Sequence, residues 1–363
     1  MKSILKISLD DIQYNWKLIN NASNGKAAAV VKANAYGIGM IEVTRALLES
    51  GCNYFYVANI FEGLKLRKKF NSNKISIAIF EGYLEGNQKI YAENNLTPIL
   101  NNLEQLKRLN NFSTALTEQK AIINIDTGMN RLGLSKKERD FLINNRDLLN
   151  NVRIDYIMSH LSNANENESK INLLQLNELK KFSINFPNIK VSFANSHGVK
   201  LGSNFCFDQT RPGIGLYGID NFGKNFYFNS KKLKLPLKLY APIIQIKKVN
   251  TGEKVSYGGI DVLKRNSKLA TIGLGYADGW LRLLKPNSVF FIENEKCKIV
   301  GNITMDSFVL DITDIKKIKL KEGDHICLLD NSNIEHILKN NNIISYELLT
   351  LMGDRLHRNY KLS

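Results

Sequence analysis

The sequence has 363 residues, more than one small domain needs and enough for two ordinary domains. Hydrophobic residues make up 44% and charged residues 23% of the chain, which is the composition of a globular protein with a sizeable core and excludes a disordered chain. The formal charge of +16 is compatible with a nucleic-acid ligand, but the basic residues are spread along the chain and their tightest cluster is the short run LKLRKKF, so we expect no nucleic-acid-binding function.

Up to about residue 220, short apolar runs rich in β-forming residues alternate with helical patterns. The clearest helical patterns span 40–50, 102–109 and 168–182. Near-continuous apolar runs are typical of parallel strands that are buried on both faces. Eight predicted strands joined by seven helical connections indicate an α/β fold, a (β/α)8 TIM-type barrel over residues 1–225. The predicted strands are 27–34, 54–59, 74–80, 96–100, 120–127, 153–161, 190–196 and the segment that ends in 211–218.

The pattern changes near residues 222–240, and from there the chain reads as mostly β. Apolar runs such as LYAPIIQIKKVN, KLATIGLGY and DSFVLDIT are separated by the turn signals NTGEK, KEGD and DNSN. We therefore predict a second, smaller all-β domain over residues 226–363.

Lys32 follows the first predicted strand, in VVKANAYG, and barrels carry their functional residues at the carboxyl ends of strands. The preceding run AAAVV should partly desolvate the amine, and a desolvated lysine can form a Schiff base with an aldehyde cofactor. The seventh and eighth strands end in NSHG (195–198) and RPGIGLYG (211–218), where barrels often bind phosphate. An ordinary surface lysine is the competing interpretation, but the three positions together predict pyridoxal phosphate bound across the barrel mouth.

Further segments lie along the chain besides VVKANAYG and RPGIGLYG. In their order and spacing the sequence resembles the alanine racemase family over nearly its full length. The segments are NIDTGMNRLG (124–133), SHLSNA (159–164), ANS (194–196), VSYGG (255–259), GLGYADG (273–279) and ITMDSF (303–308). The resemblance implies a pyridoxal-phosphate-dependent isomerase that interconverts L-alanine and D-alanine and supplies D-alanine for peptidoglycan. It also implies a homodimer in which the C-terminal domain contributes to the other subunit's active site.

The resemblance assigns two catalytic bases. Lys32 binds the cofactor covalently and acts on the D isomer, while Tyr257, contributed by the other subunit, acts on the L isomer. Two bases on opposite faces of a planar intermediate explain inversion, because one removes the α-proton and the other returns a proton from the far side. His160 and Arg211 resemble the supporting network. Arg211 is expected to face the pyridine nitrogen, and since arginine stays protonated it limits electron withdrawal by the ring.

Further roles come from the resemblance alone. Arg131 is expected to hold the substrate carboxylate or the cofactor phenolate, with a backbone contact from Met305 of the other subunit. Tyr276 and Asp306 match positions at the substrate entrance. The residues that match the family's phosphate contacts are Tyr36, Ser196, Gly213, Ile214 and Tyr346.

Three positions depart from the family's usual pattern. Ile38 replaces a histidine outside the chemistry. Ser192 replaces a histidine, so we expect a weaker hydrogen-bond network behind Arg211. Asn124 replaces a lysine that is carbamylated in many members, so we predict no carbamate, a hydrogen bond from Arg131 to the Asn124 amide, and a bound anion such as chloride that supplies the missing charge.

Two alternatives remain at this point, a racemase of the same fold that accepts serine or lysine and a non-catalytic pyridoxal phosphate carrier. In barrel decarboxylases a glutamate faces the pyridine nitrogen, and RPGIGLYG contains none. The four cysteines have no paired spacing, so we expect a reducing compartment and no metal site. The N-terminal run MKSILKISLDDIQ meets acidic residues before a signal peptide could form, and we expect a cytoplasmic protein.

Overall fold

A closed barrel of parallel strands forms the first part of the chain. The computed structural model describes residues 2–113, 119–221, 223–228, 230–284, 289–292 and 295–361. Among these residues eight strands pair in parallel and in chain order. Backbone hydrogen bonds from Ala28 N to Thr210 O (2.9 Å) and from Val30 N to Pro212 O (3.0 Å) join the first strand to the last and close the barrel. The strands are Ala29–Val30, Tyr54–Val57, Ser76–Ile79, Thr97–Leu100, Gln119–Asn124, Val152–Met158, Lys190–Asn195 and Gln209–Arg211.

The barrel strands are short and apolar because most of their residues have no solvent-facing side. Thr97–Leu100 is buried throughout, and Ser76–Ile79 is buried except for its first residue, which is partly exposed. Interior side chains and outer helices cover such strands on both faces. The predicted (β/α)8 barrel is confirmed, although the observed strands are shorter than predicted and the last one begins at Gln209, upstream of the glycine-rich run.

Helices connect the barrel strands and begin where the sequence provides capping side chains. Asn59 and Asn102 each accept a hydrogen bond from a first-turn backbone N–H, and Ser135 with Glu138 forms a capping box. The helices are Leu9–Ala22, Met40–Glu49, Ile60–Lys69, Gln88–Glu93, Leu103–Phe112, Lys136–Asn144, Lys170–Ser183 and Ser196–Lys200, with 3-10 turns at Arg146–Leu149, Ser203–Phe205 and Ile214–Tyr217.

A sheet-rich unit follows the barrel. Its core includes Trp280, which is fully buried and stacks on Phe308 with ring centroids 6.1 Å apart. Two helices, Ile334–Asn341 and Ser345–Thr350, and 3-10 turns at Tyr257–Gly259 and Tyr276–Asp278 make it sheet-rich rather than purely β. The main-sheet strands are Leu237–Val249, Ser267–Ile272, Val289–Ile292, Glu295–Val300, Phe308–Asp311, His325–Leu329 and His357–Lys361, beside two small ribbons, Tyr227–Phe228 with Lys231–Lys232 and Lys254–Val255 with Asp261–Val262.

The N-terminal strand, Ile4–Ser8, lies in this second sheet. It pairs antiparallel with Leu237–Val249 and parallel with His357–Lys361. The predicted barrel spans residues 1–225, but residues 4–8 belong to the second sheet instead. A local apolar pattern predicts a strand but does not identify a partner that is more than two hundred residues away along the chain.

Within the described part of the chain, no helix is both long and apolar enough to cross a lipid bilayer.

Candidate active site

A pocket of about 420 Å³ opens at the carboxyl ends of the barrel strands. This is the end at which barrel enzymes carry their active sites. The second unit reaches the same pocket through Tyr346, which lies on the helix Ser345–Thr350. The sequence-predicted residues that line the pocket are Lys32, Tyr36, Asn124, Arg131, His160, Ser196, Arg211, Gly213, Ile214 and Tyr346.

Lys32 begins a single left-handed helical turn that directly follows the first barrel strand. Ala33, Asn34, Ala35 and Tyr36 have φ angles of 51°, 54°, 53° and 54°, a region that residues other than glycine seldom adopt. Strained backbone of this kind persists where the surrounding structure over-determines it, and it clusters at functional sites. The turn places the Lys32 amine in the pocket, with Nζ 5.4 Å from the centre of the Phe80 ring.

The amine of Lys32 is easier to deprotonate than an ordinary lysine. Partial burial lowers its pKa, and the positive charge of Arg131 lowers it further. The carboxylate of Glu62 acts in the opposite direction. A lysine with a depressed pKa has a larger share of the free amine, which is the form that attacks an aldehyde and accepts a proton.

Arg131 lies on a tight loop that Asp126 organises. Asp126 Oδ1 accepts hydrogen bonds from the backbone N–H groups of Gly128 (2.8 Å), Met129 (3.0 Å) and Asn130 (3.1 Å). This arrangement turns the chain just after the fifth barrel strand and brings Arg131 to the pocket. Among the described residues Arg131 has no hydrogen-bond or ion-pair partner, so its guanidinium is available to an anionic ligand.

Arg211 is buried beneath the pocket and held on three sides. Nη1 donates to Ser192 Oγ (2.6 Å), and Nη2 donates to the carbonyl oxygens of Ser159 (2.6 Å) and Phe193 (3.2 Å). Ser192 Oγ donates in turn to Gln209. The serine hydroxyl at position 192 therefore gives Arg211 a short hydrogen bond and continues the network to Gln209.

His160 is neutral around pH 7. Burial lowers its pKa to about 3, and the positive charge of nearby Arg211 contributes. The positive charge of the predicted His160–Arg211 pair therefore resides on Arg211. Burial also lowers the pKa of Arg211, to about 10, which leaves the guanidinium protonated at neutral pH.

The segments after the seventh and eighth strands also line the pocket. Ser196 Oγ accepts hydrogen bonds from the backbone N–H groups of Gly213 (2.9 Å) and Gly215 (3.0 Å). A Cβ atom at Gly213 would lie 2.3 Å from Tyr36 Oη, so the phenol occupies the space that glycine leaves. The Tyr36 ring packs against Tyr346, with centroids 5.8 Å apart, and both line the pocket.

The donors of this pocket fit pyridoxal phosphate. Arg211 Nε is buried and has no hydrogen-bond partner in the described parts of the chain. An unpaired buried N–H is costly, and a ring nitrogen that accepts from it would remove the cost. Lys32 offers the amine for an aldehyde carbon, and Tyr36, Ser196 and Tyr346 offer hydroxyl groups for a phosphate.

Asn124 does not make the predicted contact with Arg131. Its Nδ2 donates to Oδ1 of Asn101 (2.8 Å), and the two amides lie together in the pocket wall. Asn101 is itself fixed, since its Nδ2 donates to the Phe80 carbonyl oxygen (3.0 Å). The amide pair thus takes the place of the predicted Arg131–Asn124 hydrogen bond.

Four predicted residues lie outside the pocket of their own chain, on the surface of the second unit. Tyr257 is 78% exposed, and Tyr276, Met305 and Asp306 are also exposed. Backbone hydrogen bonds bring the last three together, because Ala277 N donates to Met305 O (3.0 Å) and Tyr276 N donates to Thr304 O (3.1 Å). Of these four, Tyr257 and the Met305 backbone were predicted to act in the active site of a second copy, and Tyr276 and Asp306 at the substrate entrance.

Several residues that build the site are not among those predicted from the sequence. Asn101 follows a predicted strand directly, which is the position that should have marked it. Gln209 lies two residues before Arg211 on the same strand, so that period-2 spacing would have placed both side chains on one face. Glu62, which contacts the lysine-bearing turn, lies one helix away and had no local signal.

Known proteins share this architecture and these segments. The family models described as the N-terminal and C-terminal domains of alanine racemase match residues 7–221 and 236–360. The alanine racemase of Rickettsia bellii (strain RML369-C) is 38% identical over 341 residues, 93% of this chain and 82% of that protein. The alanine racemase of Rickettsia rickettsii (strain Sheila Smith) is 36% identical over 362 residues, 98% of each chain.

The crystal structure of alanine racemase from Bartonella henselae, with covalently bound pyridoxal phosphate, superposes with a TM-score of 0.92 at 36% identity and covers 99% of this chain and 100% of that one. Alanine racemase from Clostridium difficile 630 superposes with a TM-score of 0.90 at 27% identity, covering 99% and 96%. Because the two family models cover most of the chain and the relatives match it nearly end to end, the chain belongs to the alanine racemase family.

Proposed function

We propose that the protein is a pyridoxal-phosphate-dependent racemase that interconverts L-alanine and D-alanine and supplies D-alanine for peptidoglycan. The observation that carries this proposal is that one pocket contains both the Lys32 amine and the buried Nε of Arg211, which has no hydrogen-bond partner among the described residues. Membership of the alanine racemase family supports the choice of alanine as substrate.

In this proposal Lys32 would hold the cofactor covalently and Arg211 Nε would donate a hydrogen bond to its ring nitrogen. Tyr36, Ser196 and Tyr346, together with the backbone near Gly213 and Ile214, would hold the phosphate. When bound, the cofactor withdraws electrons from the α-carbon of the amino acid and so acidifies its α-proton. Arg211 limits that withdrawal because its charged guanidinium does not readily hand a proton to the ring nitrogen.

Lys32 is the base that exchanges the α-proton on one face. Its lowered pKa favours the free amine, which is the form that accepts a proton. Arg131 supplies a cation for the substrate carboxylate, and since it has no partner in the part of the chain that the structure describes, the guanidinium is open to that contact. The neutral imidazole of His160 packs at the pocket wall without adding a competing charge.

The second base is Tyr257, supplied by a second copy of the chain in a homodimer. Tyr257 does not line the pocket of its own chain, and the apolar side chains Ile260 and Met305 of the same unit are exposed, at 62% and 53%. Exposed apolar side chains that cluster mark protein interfaces, and the segments of Tyr257 and Met305 are joined here by the hydrogen bond from Asn302 Nδ2 to Tyr257 O (3.0 Å). We also propose that the protein acts in the cytoplasm, where peptidoglycan precursors need D-alanine.

A racemisation assay tests the proposal. The purified protein with pyridoxal phosphate would receive L-alanine, L-serine or L-lysine, and formation of each D isomer would be followed by chiral chromatography. We expect D-alanine to form fastest and Lys32→Ala to abolish it. Absence of D-alanine at every cofactor concentration would overturn the proposal, whereas faster formation of D-serine or D-lysine would favour the broader-specificity racemase.

A further inference from the structure

The turn that carries Lys32 cannot hold its shape through local preference. Four successive residues from Ala33 to Tyr36 have positive φ angles, and none of them is glycine. Each would relax to the right-handed or extended region in an unconstrained chain. The contacts that prevent this relaxation therefore decide where the Lys32 backbone lies.

Glu62 holds the beginning of the turn from the barrel side. Its Oε1 accepts a hydrogen bond from Ala33 N (2.7 Å), and its Oε2 accepts one from Ala58 N (2.7 Å). The carboxylate thus joins the residue after Lys32 to the end of the neighbouring barrel strand. Glu62 is fixed in turn, because its own N–H donates to the helix-capping Asn59 Oδ1 (3.0 Å).

Arg358, on the last strand of the second unit, holds the end of the turn. Its Nε and Nη2 both donate to the carbonyl oxygen of Gly37, at 3.0 and 2.8 Å. The same guanidinium donates to Met352 O (2.7 Å) and Gly353 O (3.0 Å), so it joins the turn to the C-terminal segment. Tyr360 Oη adds a hydrogen bond to Ile38 O (2.8 Å).

We propose that Glu62 and Arg358 are positioning residues that clamp the left-handed turn from its two ends and thereby fix the Lys32 amine at the pocket. The proposal rests on the proposed function of Lys32 as the cofactor-binding lysine. Neither side chain lines the pocket, so each acts through the turn rather than on a ligand.

Glu62 also has an electrostatic effect that a purely structural contact would lack. Its negative charge raises the pKa of Lys32, against the lowering by burial and by Arg131. Loss of that charge removes a stabilising partner of the ammonium, so the pKa of Lys32 must fall. The other titratable or charged groups that face Lys32 across the pocket are Tyr36, Asp126, Arg131, His160, Arg211 and Tyr346, and all remain in a Glu62 variant.

Competitive labelling of the cofactor-free, full-length protein tests the Glu62 half of the clamp. A trace of radioactive or isotopic acetic anhydride would be applied across a pH series, and acetylation of Lys32 would be read from its peptide by mass spectrometry. In Glu62→Gln we expect the midpoint of labelling to move to lower pH. In Glu62→Asp, which keeps the charge but shortens its reach, we expect the midpoint to stay close to that of the natural protein.

Glu138→Gln is the matched control, because Glu138 also accepts hydrogen bonds from backbone N–H groups of two segments, Leu103 (3.0 Å) and Ser135 (2.9 Å), away from the turn. It should leave the Lys32 midpoint unchanged. An unchanged midpoint in Glu62→Gln, with circular dichroism showing a folded chain, would overturn the electrostatic role of Glu62.

Cofactor affinity tests the clamp as a whole. Glu62→Asp and Arg358→Lys both misplace the turn, and we expect pyridoxal phosphate to bind about tenfold more weakly or worse in a spectroscopic titration of the cofactor-free protein. Arg67→Lys is the control, since Arg67 likewise joins backbone carbonyls, of Ser72, Ile75, Asn94 and Asn95, but outside the site. Equal loss of affinity in Arg67→Lys and Arg358→Lys would contradict a specific clamp.

The two proposals fail in different ways. If the natural protein captures no pyridoxal phosphate through Lys32, the proposed function fails, and acetylation of Lys32 still reports whether Glu62 governs its amine. If the natural protein binds cofactor and forms D-alanine while Glu62→Gln matches it in labelling and Glu62→Asp and Arg358→Lys match it in cofactor affinity, the clamp alone is refuted.

Discussion

At the scale of single residues, the site depends on a buried arginine whose partners are neutral. Arg211 is 2% exposed and has no carboxylate partner among the described residues. Hydroxyl and carbonyl oxygens therefore accept its hydrogen bonds in place of water. A buried cation is tolerated only when such groups satisfy it. Ser192 is the one side-chain acceptor of this set, which makes it sensitive to substitution.

Ser192→Ala should lower the free energy of unfolding by about 1–3 kcal/mol, because it removes an acceptor from a buried charged donor. Denaturant unfolding of the cofactor-free protein measures this change. Ser113→Ala is the control, since the buried Ser113 hydroxyl has no hydrogen-bond partner in the described residues and its removal should cost little. Equal losses in the two variants would show that the Arg211–Ser192 hydrogen bond contributes nothing.

The lowered pKa of His160 predicts a pH dependence of stability. Its imidazole takes up a proton near pH 6.5 in the unfolded chain but only near about 3 in the folded one. The unfolded state therefore binds more protons in this interval, and the free energy of unfolding should fall as the pH drops from about 6.5 towards 3.

His160→Gln should reduce this loss, measured as the difference in unfolding free energy of the cofactor-free protein between pH 7 and pH 5. His197, whose pKa burial lowers to about 4, should give a similar but separate effect in His197→Gln. If both variants lose as much stability as the natural protein over this range, neither imidazole is neutral in the fold.

At the scale of elements, the left-handed turn is the part of the site that contradicts local preference. Residues 33–36 read Ala-Asn-Ala-Tyr, which contains no glycine and predicts no positive φ angle. The apolar barrel strands, in contrast, follow directly from their composition. Local sequence therefore predicted Lys32 and its position after a strand, whereas the shape of the turn depends on distant contacts.

At Ala33, which is exposed and has a φ of 51°, glycine should be more stabilising than valine, the reverse of their usual order in a right-handed helix. Ala33→Gly should preserve stability or raise it by up to about 1 kcal/mol, and Ala33→Val should lower it by about 1–3 kcal/mol. At Ala92, exposed in the helix Gln88–Glu93, glycine should instead be the worse substitution. Thermal and denaturant unfolding compare the four variants, and the same order at both positions would refute a left-handed conformation at Ala33.

The sequence predicted Lys32 and the loops after the seventh and eighth strands because they follow buried strands, whereas the roles of His160 and Arg211 came from the resemblance to the alanine racemase family. Lys32, His160 and Arg211 each lie at a strand end, where one-dimensional patterns are informative. The pairing of Asn124 with Asn101 could not be predicted, since it depends on which neighbouring side chain comes within reach across two strands. The same limit explains why the partners of the strand Ile4–Ser8 were missed.

At the scale of the whole molecule, the two units are joined through the chain termini and meet at the pocket. The strand Ile4–Ser8 completes the second sheet, and Arg358 and Tyr346 of that unit contact or line the site of the barrel. The second unit nevertheless leaves Tyr257 on the surface, outside the pocket of its own chain. The proposed two-base function therefore needs Tyr257 from a second copy of the chain.

Subunit complementation tests this account most directly. Lys32→Ala and Tyr257→Ala proteins would each be inactive alone. When equal amounts are mixed, unfolded together and refolded, about half of the dimers should contain one copy of each variant. Each mixed dimer has one intact site of two, so the mixture should regain roughly a quarter of the natural racemase activity. Recovery of activity in the mixture would support a site built from Lys32 of one copy and Tyr257 of another. Mixed dimers, verified by native mass spectrometry, that remain inactive would contradict it.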